Sequence, residues 1–562
     1  MKRNWFCLVL PAVLLAIPFG NSGAAADEEI EIPLASSVLS ARYSTDASGG
    51  TFRGQGWVWD DDMPMGGSFL MRHLTGQDWP VVCASIAACS PAATALVNVS
   101  SVLGSCQSPA EFACIERLSL TTDLLLKEDL ALVSGGETVF PEDAQTGVPR
   151  GTHTSVWQAS DGSRFAVVPT FSTSLSAVKG RWPLATSGTF QVNIYRVRSN
   201  LELSKSVVKI IDRLDSPGKW GYTCEGGCKP GTVLEPAPGT RYELVVRLPN
   251  TVSGWFQGRV ADATIGAVPI DTGRTRYTIS ARPARVLVAG AVASIDDPKF
   301  PGQRNSINTV RLQVSKTNPF IIDDYQRWAP FMGDKALMRR TEWSLGSFNS
   351  YSTSGKSCFD GSKGLVGVAA TNAGFYSPTP PTINATTGMF EYVVASPHHD
   401  ENGNVASGTY TLGVPQAVLN CLYGTTATPS VAQVSLVYAD GTPYTVTQNV
   451  TVTENWVSVS VEGFHFSKPK VQVKFLARDA KGRVVALPSA VRKGRISRGT
   501  RFATSVLANP AARTKPKWSV AGACRLKSGT VIATRKGTCT VTLLAMKSGR
   551  HTVVLRKNIK VV

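Results

Sequence analysis

Along most of the chain apolar and polar residues alternate over five to eight positions, as in TFQVNIYRV (189–197), RYELVVRLP (241–249), FEYVVAS (390–396), AQVSLVYAD (432–440) and CTVTLLA (539–545). A period of two sends successive side chains to opposite faces, so each run predicts a strand with one buried face. Turn signals such as SPG (216–218), APG (237–239) and DGT (440–442) break the runs. Helical periodicity is confined to a short stretch, SPAATALVNVSSVL (90–103), which reads as a short helix. The pattern predicts a mainly β protein of several antiparallel β-sandwich domains in series.

The N-terminus departs from this pattern. Lys2 and Arg3 precede an apolar run of about a dozen residues, and the small residues Ala24, Ala25 and Ala26 follow it. That layout predicts a secretory signal peptide over residues 1–26. Further on, no apolar run approaches the roughly 18 residues of a membrane helix, and HTVVLRKNIKVV carries no sorting motif or anchor. The mature chain is expected to be secreted and extracellular, held at a cell wall noncovalently if at all. Its length predicts several cores: a Cys-rich β domain at 27–177, sandwiches at 178–290 and 291–466, and a terminal module at 467–562.

Cys7 falls inside the signal segment. The remaining cysteines are Cys83, Cys89, Cys106, Cys114, Cys224, Cys228, Cys358, Cys421, Cys524 and Cys539. An even number in an exported chain favours disulfides over metal ligands, and sequence order suggests that neighbours pair. TCEGGCKPG spaces Cys224 and Cys228 by a flexible Gly-Gly loop that permits a small disulfide ring, with no further zinc ligand beside it.

Charge divides the chain sharply. Residues 467–562 hold 23 Lys and Arg against one acid, Asp479, whereas 27–466 carry 33 cations and 39 acids. So one-sided a segment predicts contact with fixed negative charge, because such contacts release condensed counterions. For an exported chain the expected partner is an anionic cell-envelope polymer or membrane surface, with another surface protein as an alternative and nucleic acid excluded by export. Arg525, Lys527, Arg535, Lys536, Lys547 and Arg550, set opposite apolar strand positions or in turns, are the candidate polyanion contacts.

Catalytic signals are sparse. The chain has six histidines, and the richest group is His398, His399, Asp400 and Glu401 in SPHHDENGN, where His398 and Asp400 are expected on one side. WVWDDDMPMGG sets Asp60, Asp61 and Asp62 beside Trp57 and Trp59, a grouping that could bind calcium or a sugar ring but is more often a loop held by turn hydrogen bonds with the tryptophans in the core. IIDDYQRW (321–328) invites the same pair of readings. No GxSxG elbow, HExxH, P-loop or dinucleotide fingerprint occurs, so no cofactor or metal is expected. The sequons at Asn98, Asn384 and Asn449 read as chance occurrences.

SGWFQGR (253–259), FEYVVASPHH followed by GTYTLGV, LNCLYG (419–424) and VSVEGFHFSKPKV (459–471) occur in this order. CQSPAEFACIERLSL (106–120) is a further, weaker echo. Together they resemble large secreted proteins of actinobacteria that have no assigned activity. The last module, with Trp518, the pair Cys524 and Cys539, and GTCTV, looks like bacterial surface Ig-like repeats. The resemblance implies an envelope setting and Ig-like sandwiches, and transfers no catalytic residue. The expected function is noncatalytic envelope association through the basic module, with binding or scaffold domains ahead of it. A carbohydrate-active or other hydrolytic enzyme, and an adhesin, are the alternatives.

Overall fold

In the computed structural model, residues 67–197, 239–288, 334–348, 364–478 and 517–562 are described with short gaps, together with isolated elements before and between them. The protein is mainly β, built of several antiparallel sheets.

One long sheet organises the molecule. Its hydrogen bonds run from Phe69–Leu74 through Ala95–Val102, Arg164–Ser176, Thr189–Val197 and Ser344–Phe348. They continue through Gly254–Pro269, Leu365–Thr371 and Ser407–Pro415 to Trp456–His465. A second sheet joins Cys114–Thr121, Arg241–Pro249 and Arg274–Val288 to the far half of Gly254–Pro269. Phe165, Val167, Phe171, Phe190 and Ile194 of the long sheet meet Leu118, Tyr242, Leu244, Val246 and Ile279 of the second in one apolar core. A third sheet, Phe390–Ala395, Lys470–Arg478, Val431–Val437 and Pro443–Asn449, covers the other end of the long sheet. There Leu412, Val414, Val457 and Val459 pack on Tyr392, Val434, Val473 and Phe475. The long sheet is therefore a wall of two sandwiches.

Strand Gly254–Pro269 makes this sharing possible. Its first residues lie between Ser344–Phe348 and, in parallel, Leu365–Thr371, and its later ones pair with Arg274–Val288. The change of sheet falls at a register shift between Ala261 and Thr264, where Asp262 takes a left-handed φ of 50°. A bulge turns a strand in this way, and Arg241 fixes it through the Asp262 carbonyl at 3.0 Å and the Asp262 carboxylate. Leu365–Thr371, flanked on both sides and covered on both faces, is buried throughout. That explains why LVGVAAT shows no alternation.

Four expectations are corrected. The 90–103 stretch forms strand Ala95–Val102 instead of a helix, since LVNVSSV alternates and lies between two partner strands. The boundary at 177/178 is bridged by strands Arg164–Ser176 with Thr189–Val197 and Cys114–Thr121 with Arg241–Pro249. That at 290/291 is bridged by the pairing of Arg274–Val288 with Lys335–Glu342. Finally Lys470–Arg478, assigned to the terminal module, contributes Val471, Val473 and Phe475 to the preceding sandwich. Helices Ile321–Trp328, Lys356–Phe359 and Gln416–Tyr423 were not anticipated.

Cys83 with Cys89, Cys106 with Cys114, Cys358 with Cys421 and Cys524 with Cys539 form disulfides, their Cα atoms 4.9–5.6 Å apart. Cys358–Cys421 joins the second and third helices. The expected pair Cys224 and Cys228 lies outside the described residues. Four disulfides are compatible with an extracellular location.

Candidate functional site

The terminal module is a small sandwich. One sheet holds Arg495–Ile496, Arg550–Val561, Gly537–Lys547 and Lys517–Gly522, the other Arg501–Ala503, Thr530–Ala533 and Cys524–Lys527. Cys524, Cys539, Val531, Val541 and Ile559 fill its core, with Trp518 and Leu526 packed against it. The period of two then sends the intervening residues outward. Arg525 and Lys527 are exposed on the three-stranded sheet, Arg556 and Lys560 on the other.

Backbone bonds gather a third group of cations at one end of the sandwich. The carbonyl of Ala523 accepts the N–H groups of Thr534 (2.9 Å) and Arg535 (3.4 Å), which folds the turn carrying Arg535 and Lys536. Gly499 donates to Ala533 at 2.9 Å and Arg498 to Val562 at 3.1 Å. Arg498, Arg535, Lys536 and Lys560 consequently crowd one rim, all exposed. Lys547 and Arg550 sit opposite each other at the closing hairpin; their side chains lie outside the described residues. The module's described cations thus do not converge on one face but occupy both faces and one rim. Arg498, Arg556 and Lys560 were missed in the sequence reading, although the alternation RKNIKV marks two of them.

No acid answers this charge. From residue 480 onward the chain has 19 Lys and Arg and neither Asp nor Glu. Among the described residues, none of the module's cations forms an ion pair, whereas those of the body do. Arg150 bonds Glu111 at 2.8 Å with both side chains less than a tenth exposed. Arg247 reaches Glu116 at 2.8 Å and the carbonyls of Pro109 and Glu111. Arg274 adds bonds to Ala110 and Glu111, so two arginines clamp the loop closed by Cys106–Cys114. In SGWFQGR, Arg259 donates to the carbonyls of Ala373 and Gly374 and lies 4.7 Å from the Tyr376 ring centre. Gln257 bonds Ser377, Thr379 and Tyr392. The string joins the two sandwiches.

The histidine group separates. His398 Nδ1 lies 2.8 Å from Asp334, which also accepts the His398 N–H at 2.9 Å, and His399 Nδ1 lies 3.6 Å from Asp334. Asp400 instead turns back on its own loop, accepting from Asn402 and Asn404. The Asn404 amide, followed by the loop N–H groups, holds its carboxyl below the usual carboxylate range despite some desolvation. His398 and Asp400 are therefore not a pair. Among the described residues no group of three His, Cys, Asp or Glu side chains is placed to hold a metal ion.

IIDDYQRW forms a helix in which Tyr325 stacks on Phe375 at 4.6 Å and Asp323 faces outward. Trp57, Trp59, Asp60, Asp61 and Asp62 lie outside the described residues. Asn98 sits in mid-strand, accepting from Ser174 at 2.7 Å and 3.2 Å from His73 Nε2. Asn384 caps a turn.

Searches across protein-family models, curated proteins and solved structures match nothing to this chain.

Proposed function

We propose that this is a secreted, noncatalytic, modular β-protein whose terminal module associates with an anionic envelope surface while the two-sandwich body presents binding or scaffold surfaces. The observation that carries the proposal is the acid-free segment from residue 480, whose 19 cations have no carboxylate in sequence to neutralise them. The spread of those that are described over both faces and one rim suits a polymer or a charged layer that surrounds the module, which has no need of a single shaped pocket. Such attraction is nonspecific in sequence and geometry but strong in aggregate, because each neutralised fixed charge frees a condensed counterion.

The test is retention of the full chain on isolated cell envelope and on immobilised polyphosphate and polyglutamate. Raising salt is expected to release it, since screening shortens the Debye length from about 10 Å at 0.1 M to about 3 Å at 1 M. A chain ending at residue 479 is expected not to be retained. Retention that ignores both changes refutes the proposal.

A further inference from the structure

A second feature stands apart from the basic module, at the beginning of the long sheet. A concavity of about 450 Å³ opens there, lined by Asn98, Ser100, Ser172, Ser174, Ser187 and Thr189 over a floor of Phe69 and Met71. Its size falls in the range of small-molecule sites, roughly 300–1,000 Å³.

The register explains the chemistry. Phe69 pairs with Ser100, Ser100 with Ser172 and Ser172 with Thr189; one step along, Met71 pairs with Asn98 and Asn98 with Ser174. Directly opposed residues share a face, so the polar side chains form rows on one side of four strands. The other side carries Leu70, Val97, Val99 and Leu175 into an apolar cluster. Alternation in NVSS and FSTSLS thus places hydroxyls and an amide on that face, beside Phe69 and Met71.

Much of that hydrogen-bonding capacity is unspent. Asn98 is fixed by Ser174 and His73, but among the described residues nothing takes up the hydroxyls of Ser100, Ser172 or Ser187. Farther along the same face Thr170 is 8% exposed and Asn193 2% exposed, yet Thr170 Oγ1 and Asn193 Nδ2 have no partner. Buried polar atoms rarely stay unsatisfied. Neither of these atoms lines the cavity; the residues that do, Ser100, Ser172 and Ser187, offer hydroxyls that a ligand can engage.

No charged side chain lines the cavity, which disfavours ionic ligands. A peptide adding as a strand would need a free sheet edge, and Ala95–Val102 and Arg164–Ser176 are each paired on both sides. A hydroxyl both donates and accepts, which matches a partner whose hydroxyls do the same. We infer that this cavity binds a short neutral saccharide, its hydroxyls met by Ser100, Ser172 and Ser187 and its C–H face resting over Phe69 and Met71.

The inference is tested by titration calorimetry of the full chain with maltotriose, cellotriose, chitotriose and α-mannotriose up to about 10 mM, the weak end of specific binding. At least one is expected to give a saturable isotherm. Ser187→Trp, at an exposed rim position, is expected to plug the cavity and abolish it. Ser100→Ala with Ser172→Ala is expected to weaken it about tenfold or more, the equivalent of 1.4 kcal/mol. Should the double variant fail to fold, Ser187→Trp decides alone. Replacing Arg525 and Lys527 by Gln is expected to leave saccharide affinity unchanged while reducing envelope retention. No saturable binding to any of the four sugars, or full affinity in Ser187→Trp, overturns the inference and leaves the envelope proposal standing.

Discussion

The two-sandwich body and the terminal module use cations in opposite ways. In the body, arginines are structural: Arg150, Arg247, Arg259 and Arg274 reach carboxylates or rows of carbonyls and tie loops to sheets. In the module, Arg525, Lys527, Arg535 and Lys536 stand outside a core of aliphatic residues and a disulfide. The same residue type therefore contributes to folding in one region and to the outer field in the other. What decides between them is the presence of an acid or an unfilled carbonyl within reach.

The contrast breaks most readily at the buried pair. Glu111→Ala leaves Arg150 buried without its carboxylate and is expected to cost about 3–5 kcal/mol, seen as a lower denaturant midpoint for the body. Next is the module's staple. Replacing Cys524 and Cys539 by Ala opens a loop of 14 intervening residues and is expected to cost about 3 kcal/mol, measured by chemical unfolding of the oxidised chain and the variant.

Partly exposed body charges should matter less. Burial pushes Glu243 upward, but hydrogen bonds from Lys127 and Arg117 outweigh it and hold the carboxyl below its usual range. A depressed carboxyl contributes stability above its unfolded value, about 4.3, and loses it as pH falls through the lower folded value. Glu243→Gln is expected to remove that acid-side loss, by under about 1 kcal/mol, in a pH series of thermal unfolding. Glu142 has the opposite sign. Burial leads, the Phe112 N–H and nearby arginines oppose it, and the net effect raises the carboxyl. Its ionisation therefore costs stability as pH rises from its unfolded value through the raised one, and Glu142→Gln is expected to flatten that decline.

The smallest effect on folding is expected from changing Arg525, Lys527, Arg535 and Lys536 to Gln, within about 0.5 kcal/mol. Those same changes are expected to make binding to polyphosphate markedly less salt-dependent, by about 0.7–0.9 in log–log slope for each phosphate no longer neutralised. A large stability loss with an unchanged slope would place these residues with the structural arginines and erase the distinction between the regions.

The strands at 189–197, 241–249 and 390–395 were legible because one face of each is buried and the period of two survives in the residues. Leu365–Thr371 was not, since burial on both faces removes the period. The outward placement of Arg525 and Lys527 followed from alternation about Cys524 and Leu526. The partnership of His398 with Asp334 did not, since 64 residues separate them. Likewise Ser100 and Ser172 share a cavity only because two strands distant in sequence pair in one register.

By itself the sequence determined the β class, the four disulfides between cysteines adjacent in sequence order and the confinement of excess positive charge to the final segment. These properties are carried by short stretches, by residue counts or by the order of one residue type along the chain. The tertiary structure decided that one sheet serves two sandwiches, that Lys470–Arg478 belongs to the body, and which polar residues share a cavity. Those outcomes depend on hydrogen bonds and apolar contacts between segments far apart in the chain, whose pairing no short pattern encodes.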